Sequence, residues 1–209
     1  MFSDIMTDFW DNRYKASVFA YGKSPNLYLK QCIESYDLSG SIILPAEGEG
    51  RNAVYAAQKG LNVFAFDNSV EGQKKATQLA QECDVRIRYD VLDWADMPTQ
   101  DTDFDCAAMI FAHIPLSIQR QCHQKIADSI RVGGTLLFEG FSTNHLEYRA
   151  QNPKVGGPGK LEMLFAKDDI ASDFSNFDIV EFEEVEVNLQ EGSFHQGVGK
   201  VIRFIGKKR

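Results

Sequence analysis

The sequence predicts an α/β fold: a doubly wound, mostly parallel seven-stranded sheet that ends in an antiparallel terminal hairpin. Three observations predict it. Strand-like and helix-like segments alternate from Ser41 to Gly140, and a glycine-rich turn follows the first strand-like segment. The last two strand-like segments are joined by a connection too short for a parallel crossover.

Taken in order, an aromatic-rich leader with Phe9, Trp10, Tyr14, Phe19 and Tyr21 precedes a helix expected from Asn26 to Tyr36. SIILPA (41–46) reads as the first strand, 51–59 as a helix stopped by Gly60, and NVFAFD (62–67) as the second strand. A helix over 71–82 and a third strand over 85–89 follow. FDCAAMIF (104–111) is a nearly continuous apolar run, as a central strand covered on both faces requires. Ile114, Ile118, Cys122, Ile126 and Ile130 recur at every fourth position and predict one apolar helix stripe, ended by Val132-Gly133-Gly134. The fifth strand is expected over 135–139. The turn-rich stretch 142–160, with QNPKVGGPGK inside it, reads as a mobile loop. A short helix (167–174) then leads to the hairpin strands 177–189 and 198–205, separated by QEGSFHQG.

Composition bounds the function classes. An apolar fraction of 44% and a charged fraction of 25% over 209 residues are those of an average globular protein. The net charge of −8 argues against nucleic acid, which needs a contiguous basic face, and Lys207-Lys208-Arg209 is the one basic cluster. Asp4, Asp8 and Asp11 stand where a signal peptide needs positive charge and an apolar run. With no apolar run near the ~20 residues of a membrane span, no membrane partner and a cytoplasmic location are expected. Cys32, Cys83, Cys106 and Cys122 lack zinc-site spacing and are expected as reduced thiols, and His113, His123, His145 and His195 form no paired pattern. No metal is expected.

In such sheets ligands bind outside the carboxyl ends of the strands, where strand order reverses. The first loop there is LPAEGEGRNA (44–53), in which Gly48-Glu49-Gly50-Arg51-Asn52-Ala53 satisfies G-x-G-x-x-G/A. Its glycines let backbone approach a ligand, and Asp67, 17 positions after Gly50, ends the second strand where a carboxylate accepts ribose hydroxyls. These features indicate an adenosine-type ligand. Glu47 and Glu49 bracket Gly48, and a carboxylate within about 5 Å of a phosphate costs about 1–3 kcal/mol, which disfavours a dinucleotide. S-adenosylmethionine (SAM) brings a sulfonium and an ammonium instead, and so turns the same carboxylates into attractions. Arg51 pairs with one of these glutamates or serves an anion at the helix start. Asp93-Trp94 offers adenine a carboxylate and a backbone N–H, with Asp90 and Asp96 as competitors on sequence alone. Ala112-His113-Ile114-Pro115 follows the fourth strand and faces the reactive end, which makes His113 the first candidate base and His195, in the hairpin loop, the second.

The order LPAEGEGRNAVYAAQKGLNVFAFDNS, LDWADMP and RVGGTLLFEGF resembles class I SAM-dependent methyltransferases, nearest to the small bacterial tellurite-resistance (TehB-like) group. The likeness runs almost end to end. WDNRYKASVFAYGKSPNLYL is similar to the group's W-x-x-R-Y, Y-G and P-N elements, and GGPGKLEML with EGSFHQGVGKVIRFIGKK to its G-G-P loop and E-G-x-x-H-x-G hairpin. The resemblance implies a Rossmann-like methyltransferase fold. It places Glu47, Gly48 and Gly50 on the cofactor turn with Arg51 and Asn52, Asp67 with Asn68 on the ribose, Asp93 and Trp94 on adenine, Ala112 beside the reactive end, and Tyr21 over the methionine end. The chain departs from D-x-G-x-G-x-G: the usual strand-end acid is displaced to Glu47, and Ala46 stands at the first glycine.

The expected protein is therefore one methyltransferase domain over 1–209: a leader (1–40), a cofactor-binding core (41–140), and an acceptor-side loop with the terminal hairpin (141–209). It moves the methyl of SAM onto a small-molecule acceptor, a thiol or a chalcogen oxyanion, as a monomer or homodimer. The competing expectations are a nicotinamide-dependent oxidoreductase, against which the paired glutamates and the terminal hairpin stand, and a non-catalytic SAM-binding module.

Overall fold

A computed structural model describes residues 2–97 and 103–209. The elements run α1 (Phe2–Tyr14), α2 (Leu27–Ser35), β1 (Ser41–Pro45), α3 (Arg51–Gln58), β2 (Asn62–Asp67), α4 (Val70–Glu82), β3 (Arg88–Val91) and β4 (Phe104–Ile110). Then come α5 (Leu116–Ser129), β5 (Ile130–Phe141), α6 (His145–Gln151), α7 (Lys167–Asp173), β6 (Phe177–Glu191) and β7 (His195–Lys208).

The strands form one sheet in the order β3-β2-β1-β4-β5-β7-β6. β1 to β5 pair parallel, and β7 inserts antiparallel between β5 and β6. Strand order reverses between β1 and β4, so the loops after these strands, with the one after β2, face one crevice. Alternate side chains fill both faces. Ile42, Leu44, Cys106, Ala108 and Leu137 pack under α2 and α3, whereas Ile43, Ala107, Met109, Leu136 and Phe138 pack with Ile126 of α5 and Phe174. A fully buried Phe, Ile or Leu contributes about 1.5–3 kcal/mol, so this two-sided core is what holds the strand ends in place. Among the described residues no helix is long and apolar enough to cross a membrane.

The predicted architecture is the observed one, with five local corrections. The aromatic leader begins with a full helix, α1. β3 starts three residues later than the 85–89 expectation, because the amide of Val85 donates to the Ala80 carbonyl and closes α4. The four-residue stripe drifts: at 100° per residue each step of four slips by roughly 40°. Cys122 and Ile126 therefore face the core, Ile118 is 39% exposed, and Ile130 has already joined β5. The register jump from Phe104↔Ile130 to Cys106↔Thr135 loops out 131–134, so Val132-Gly133-Gly134 sits within β5 rather than before it. Finally, 142–160 is structured. It holds α6 and a 3-10 turn (Pro153–Val155), and Ser142 bridges Phe165.

Candidate active site

β1 ends in Pro45, and the chain then turns through three left-handed residues, Ala46 (φ 51°), Gly48 (φ 58°) and Gly50 (φ 83°), into α3. Ala46 carries the side-chain strain of that conformation, about 1–2 kcal/mol, at the position where the resembled group has glycine. The Gly48 amide donates to Asp67 Oδ2 at 3.0 Å, and the Ser69 amide donates to Oδ1 at 2.9 Å. Tyr89 fixes the turn from below, its hydroxyl donating to the Gly48 carbonyl at 2.6 Å. From above comes α1: a Cβ on Gly48 would lie 2.5 Å from the Tyr14 hydroxyl. Burial pushes the Asp67 carboxyl up to about 6, more than its amide donors lower it.

Both glutamates of the turn face inward. Glu47 Oε1 accepts from the amides of Asn52 (2.8 Å) and Ala53 (2.7 Å), so the carboxylate caps the start of α3. Burial raises it to about 7 against these donors and the Arg51 charge. Glu49 ties the leader to α4, accepting from the Ala20 amide at 2.8 Å and pairing with Lys75 at 2.7 Å. Both glutamates, expected to attract a sulfonium, are engaged in internal bonds to the helix amides, the Ala20 amide and Lys75.

Arg51 pairs with Glu191 at 2.9 Å and donates to the carbonyls of Tyr21 and Ser24, which joins α3 to the leader and the hairpin. Asn52 donates its side-chain amide to Glu47 at 3.4 Å and accepts from the Asn26 amide at 2.9 Å. Asn68 is half-buried beside Asp67, and Ala112 is buried after β4. Asp93 caps a 3-10 turn by accepting from the Ala95 amide, and Trp94 packs edge-on against Phe66 with ring centroids 5.5 Å apart. Of its two competitors, Asp90 pairs with Arg88. The Tyr21 hydroxyl accepts from Arg13 at 2.8 Å, and its ring lies 4.6 Å from that of His195.

The two candidate bases differ. His113 donates from Nδ1 to the Met163 carbonyl at 2.8 Å, and its Nε2 accepts from the Phe141 amide at 3.2 Å. Burial holds it down to about 3. With both nitrogens committed to the main chain, His113 orders the loop after β4. His195 uses only Nδ1, bonded to Glu191 at 2.8 Å. Asn26 links Glu191 (3.3 Å) to Glu139 (2.7 Å), and Arg203 closes the network on Glu139 at 2.7 Å. Sequence reasoning assigned no role to Asn26, Glu139, Glu191 or Arg13, although Asn26 and Glu191 stand in the quoted P-N and E-G-x-x-H elements.

Residues 45–134, the turn and the strands around it, match the family model described as a methyltransferase domain. That stretch is similar to a methyltransferase domain. No curated protein matches its sequence. In fold the chain is similar to a SAM-dependent methyltransferase from Anabaena variabilis (TM-score 0.75, 17% identity, 100% of this chain and 96% of that one). It is likewise similar to TehB from Haemophilus influenzae (TM-score 0.69, 15% identity, 97% and 67%). A third is magnesium protoporphyrin IX methyltransferase from Synechocystis with bound SAH (TM-score 0.71, 14% identity, 99% and 99%). At these identities the chain shares their fold.

Proposed function

We propose that this protein is a class I methyltransferase that moves the methyl group of SAM onto a small-molecule acceptor, of the thiol or chalcogen-oxyanion kind. The observation that carries the reading is the pairing of the left-handed Gly48 turn with Asp67, bridged by the Gly48 amide at 3.0 Å. The residues present fit the cofactor. Gly48 carries no side chain of its own, and the Asp67 carboxylate, with amide donors from Gly48, Asn68 and Ser69 against about four lone-pair sites, keeps an acceptor position for a ribose hydroxyl. Asp93 and Trp94 would hold adenine, and Tyr21 would cover the methionine end. When bound, SAM supplies a methyl already activated by its sulfonium, so the protein's work is alignment, exclusion of water and handling of a proton. We assign the last of these to His195. The inward-turned glutamates leave the choice of SAM over a dinucleotide to the fold and to the methyltransferase domain match.

Calorimetry tests the reading: the native protein binds SAM, and Asp67→Ala loses about 1.5–3 kcal/mol of that affinity. Tight NAD(P)H binding with no response to SAM is the opposite result. Because Asp67 titrates near 6, its carboxyl becomes protonated below that pH and surrenders acceptor capacity. The dissociation constant for SAM therefore rises as pH falls through about 6 in the native protein, and Asp67→Asn flattens that rise.

A further inference from the structure

Three segments distant in sequence converge on His195. The hairpin turn abuts the leader, since a Cβ on Gly192 would lie 2.3 Å from the Ala20 carbonyl oxygen. The G-G-P loop abuts the hairpin, since a Cβ on Gly156 would lie 2.2 Å from the Phe194 oxygen and 2.7 Å from His195 Cδ2. Within this enclosure the imidazole stands among the rings of Tyr21, Phe111 and Phe141 at 4.6, 4.8 and 5.4 Å.

The imidazole is oriented by an ionised group. Glu191 Oε2 meets His195 Nδ1 at 2.8 Å and Arg51 Nη2 at 2.9 Å, and Oε1 accepts from Asn26. Burial pushes the Glu191 carboxyl up, but His195 and Arg51 together hold it down to about 2. An ionised carboxylate only accepts, so Nδ1 carries the proton and Nε2 presents a lone pair. Among the described residues Nε2 has no hydrogen-bond partner, and it is not one of the sealed polar atoms of the interior. Burial lowers the His195 pKa more than Glu191 raises it, which keeps that lone pair available at neutral pH. His113 and His145, by contrast, use both nitrogens on the main chain.

We propose that the Glu191–His195 pair makes this the site of a protic acceptor, a neutral thiol or phenol, with His195 Nε2 receiving the acceptor's proton and Glu191 as positioning residue. The inference rests on the methyltransferase reading above and narrows its acceptor. The acceptor heteroatom forms its bond to the methyl carbon as the methyl–sulfur bond breaks. The electron pair of that bond stays on sulfur, neutralising the sulfonium, and the S–H or O–H proton passes to Nε2. An acceptor that arrives as an anion has no use for an unprotonated Nε2. The aromatic walls suit an uncharged ring or alkyl group beside the nucleophile. The cations nearby are engaged: Arg51 by Glu191, and Arg13 by the Tyr21 hydroxyl and the Phe194 ring.

The test uses the full chain with SAM and three probes, benzyl thiol, phenol and selenite, following S-adenosylhomocysteine release. At least one protic probe is expected to be methylated, with His195→Gln lowering kcat by roughly 10²-fold or more. Glu191→Gln is expected to move the acidic limb of the pH–rate profile. That profile is read against the other groups facing the imidazole: Arg51 from α3, Arg13 from α1, Tyr21 from the leader, and His113 and His145. A readout independent of turnover is the imidazole 15N spectrum, with Nε2 unprotonated at neutral pH in the native chain and mixed tautomers in Glu191→Gln. A His195→Gln rate within about threefold of native, a protonated native Nε2, or SAM binding without methylation of either protic probe overturns the inference. Failure of the native chain to bind SAM at all sinks the methyltransferase reading together with it.

Discussion

Glu139→Ala is expected to cost about 3–5 kcal/mol of folding stability, the scale for removing one partner of a buried ion pair. Glu139 is 1% exposed on β5, where one oxygen takes the Arg203 guanidinium and the other the Asn26 side-chain amide. Removing the carboxylate leaves the Arg203 charge and the Asn26 amide without their buried acceptor. Asn26 also caps α2 and touches Glu191, so the damage spreads toward the hairpin. A denaturant midpoint that falls with an unchanged slope reads the loss. A loss under about 1 kcal/mol shows that Arg203, whose side chain is 20% exposed, relaxes into water and carries no buried cost.

Gly50→Ala is expected to destabilise by about 2–4 kcal/mol, from left-handed backbone strain plus overpacking. Gly50 has φ +83°, and a Cβ there would lie 2.4 Å from Ala76 Cβ and 2.7 Å from its Cα. The obstacle is another helix's backbone, which has nowhere to go. Gly60 is the matched control: it has φ +88° with nothing within 4 Å, so Gly60→Ala carries the backbone cost alone. Equal midpoints for the two variants rule out the close approach of α3 and α4 as the reason for glycine at 50.

What could be read in the sequence follows a physical rule. Short apolar runs and glycine turns are local signals, and they located the sheet, the Gly48 turn, Asp67 at the end of β2 and the terminal hairpin. The polar network behind His195 is not local. Asn26 meets Glu139 and Glu191 across 113 and 165 residues, and no spacing rule connects such positions. α1 was legible, since Phe2, Ile5, Met6, Phe9 and Trp10 recur at helical spacing in the sequence, whereas α6 is only seven residues long, too short for a periodic stripe to stand out. Glu47 and Glu49 were located correctly in the chain, but a side chain's direction depends on which donors lie within reach. The Asn52 and Ala53 amides and Lys75 were invisible as competitors until the turn was folded.

The Glu47 cap carries a consequence for selectivity. At the head of such a helix the free amides form an anion hole, the place where a nucleotide phosphate ordinarily settles. Here Glu47 already fills it, with the amides of Asn52 and Ala53 both turned to its carboxylate. The chain supplies its own resident carboxyl group, and a phosphate arriving at this turn would have to evict it.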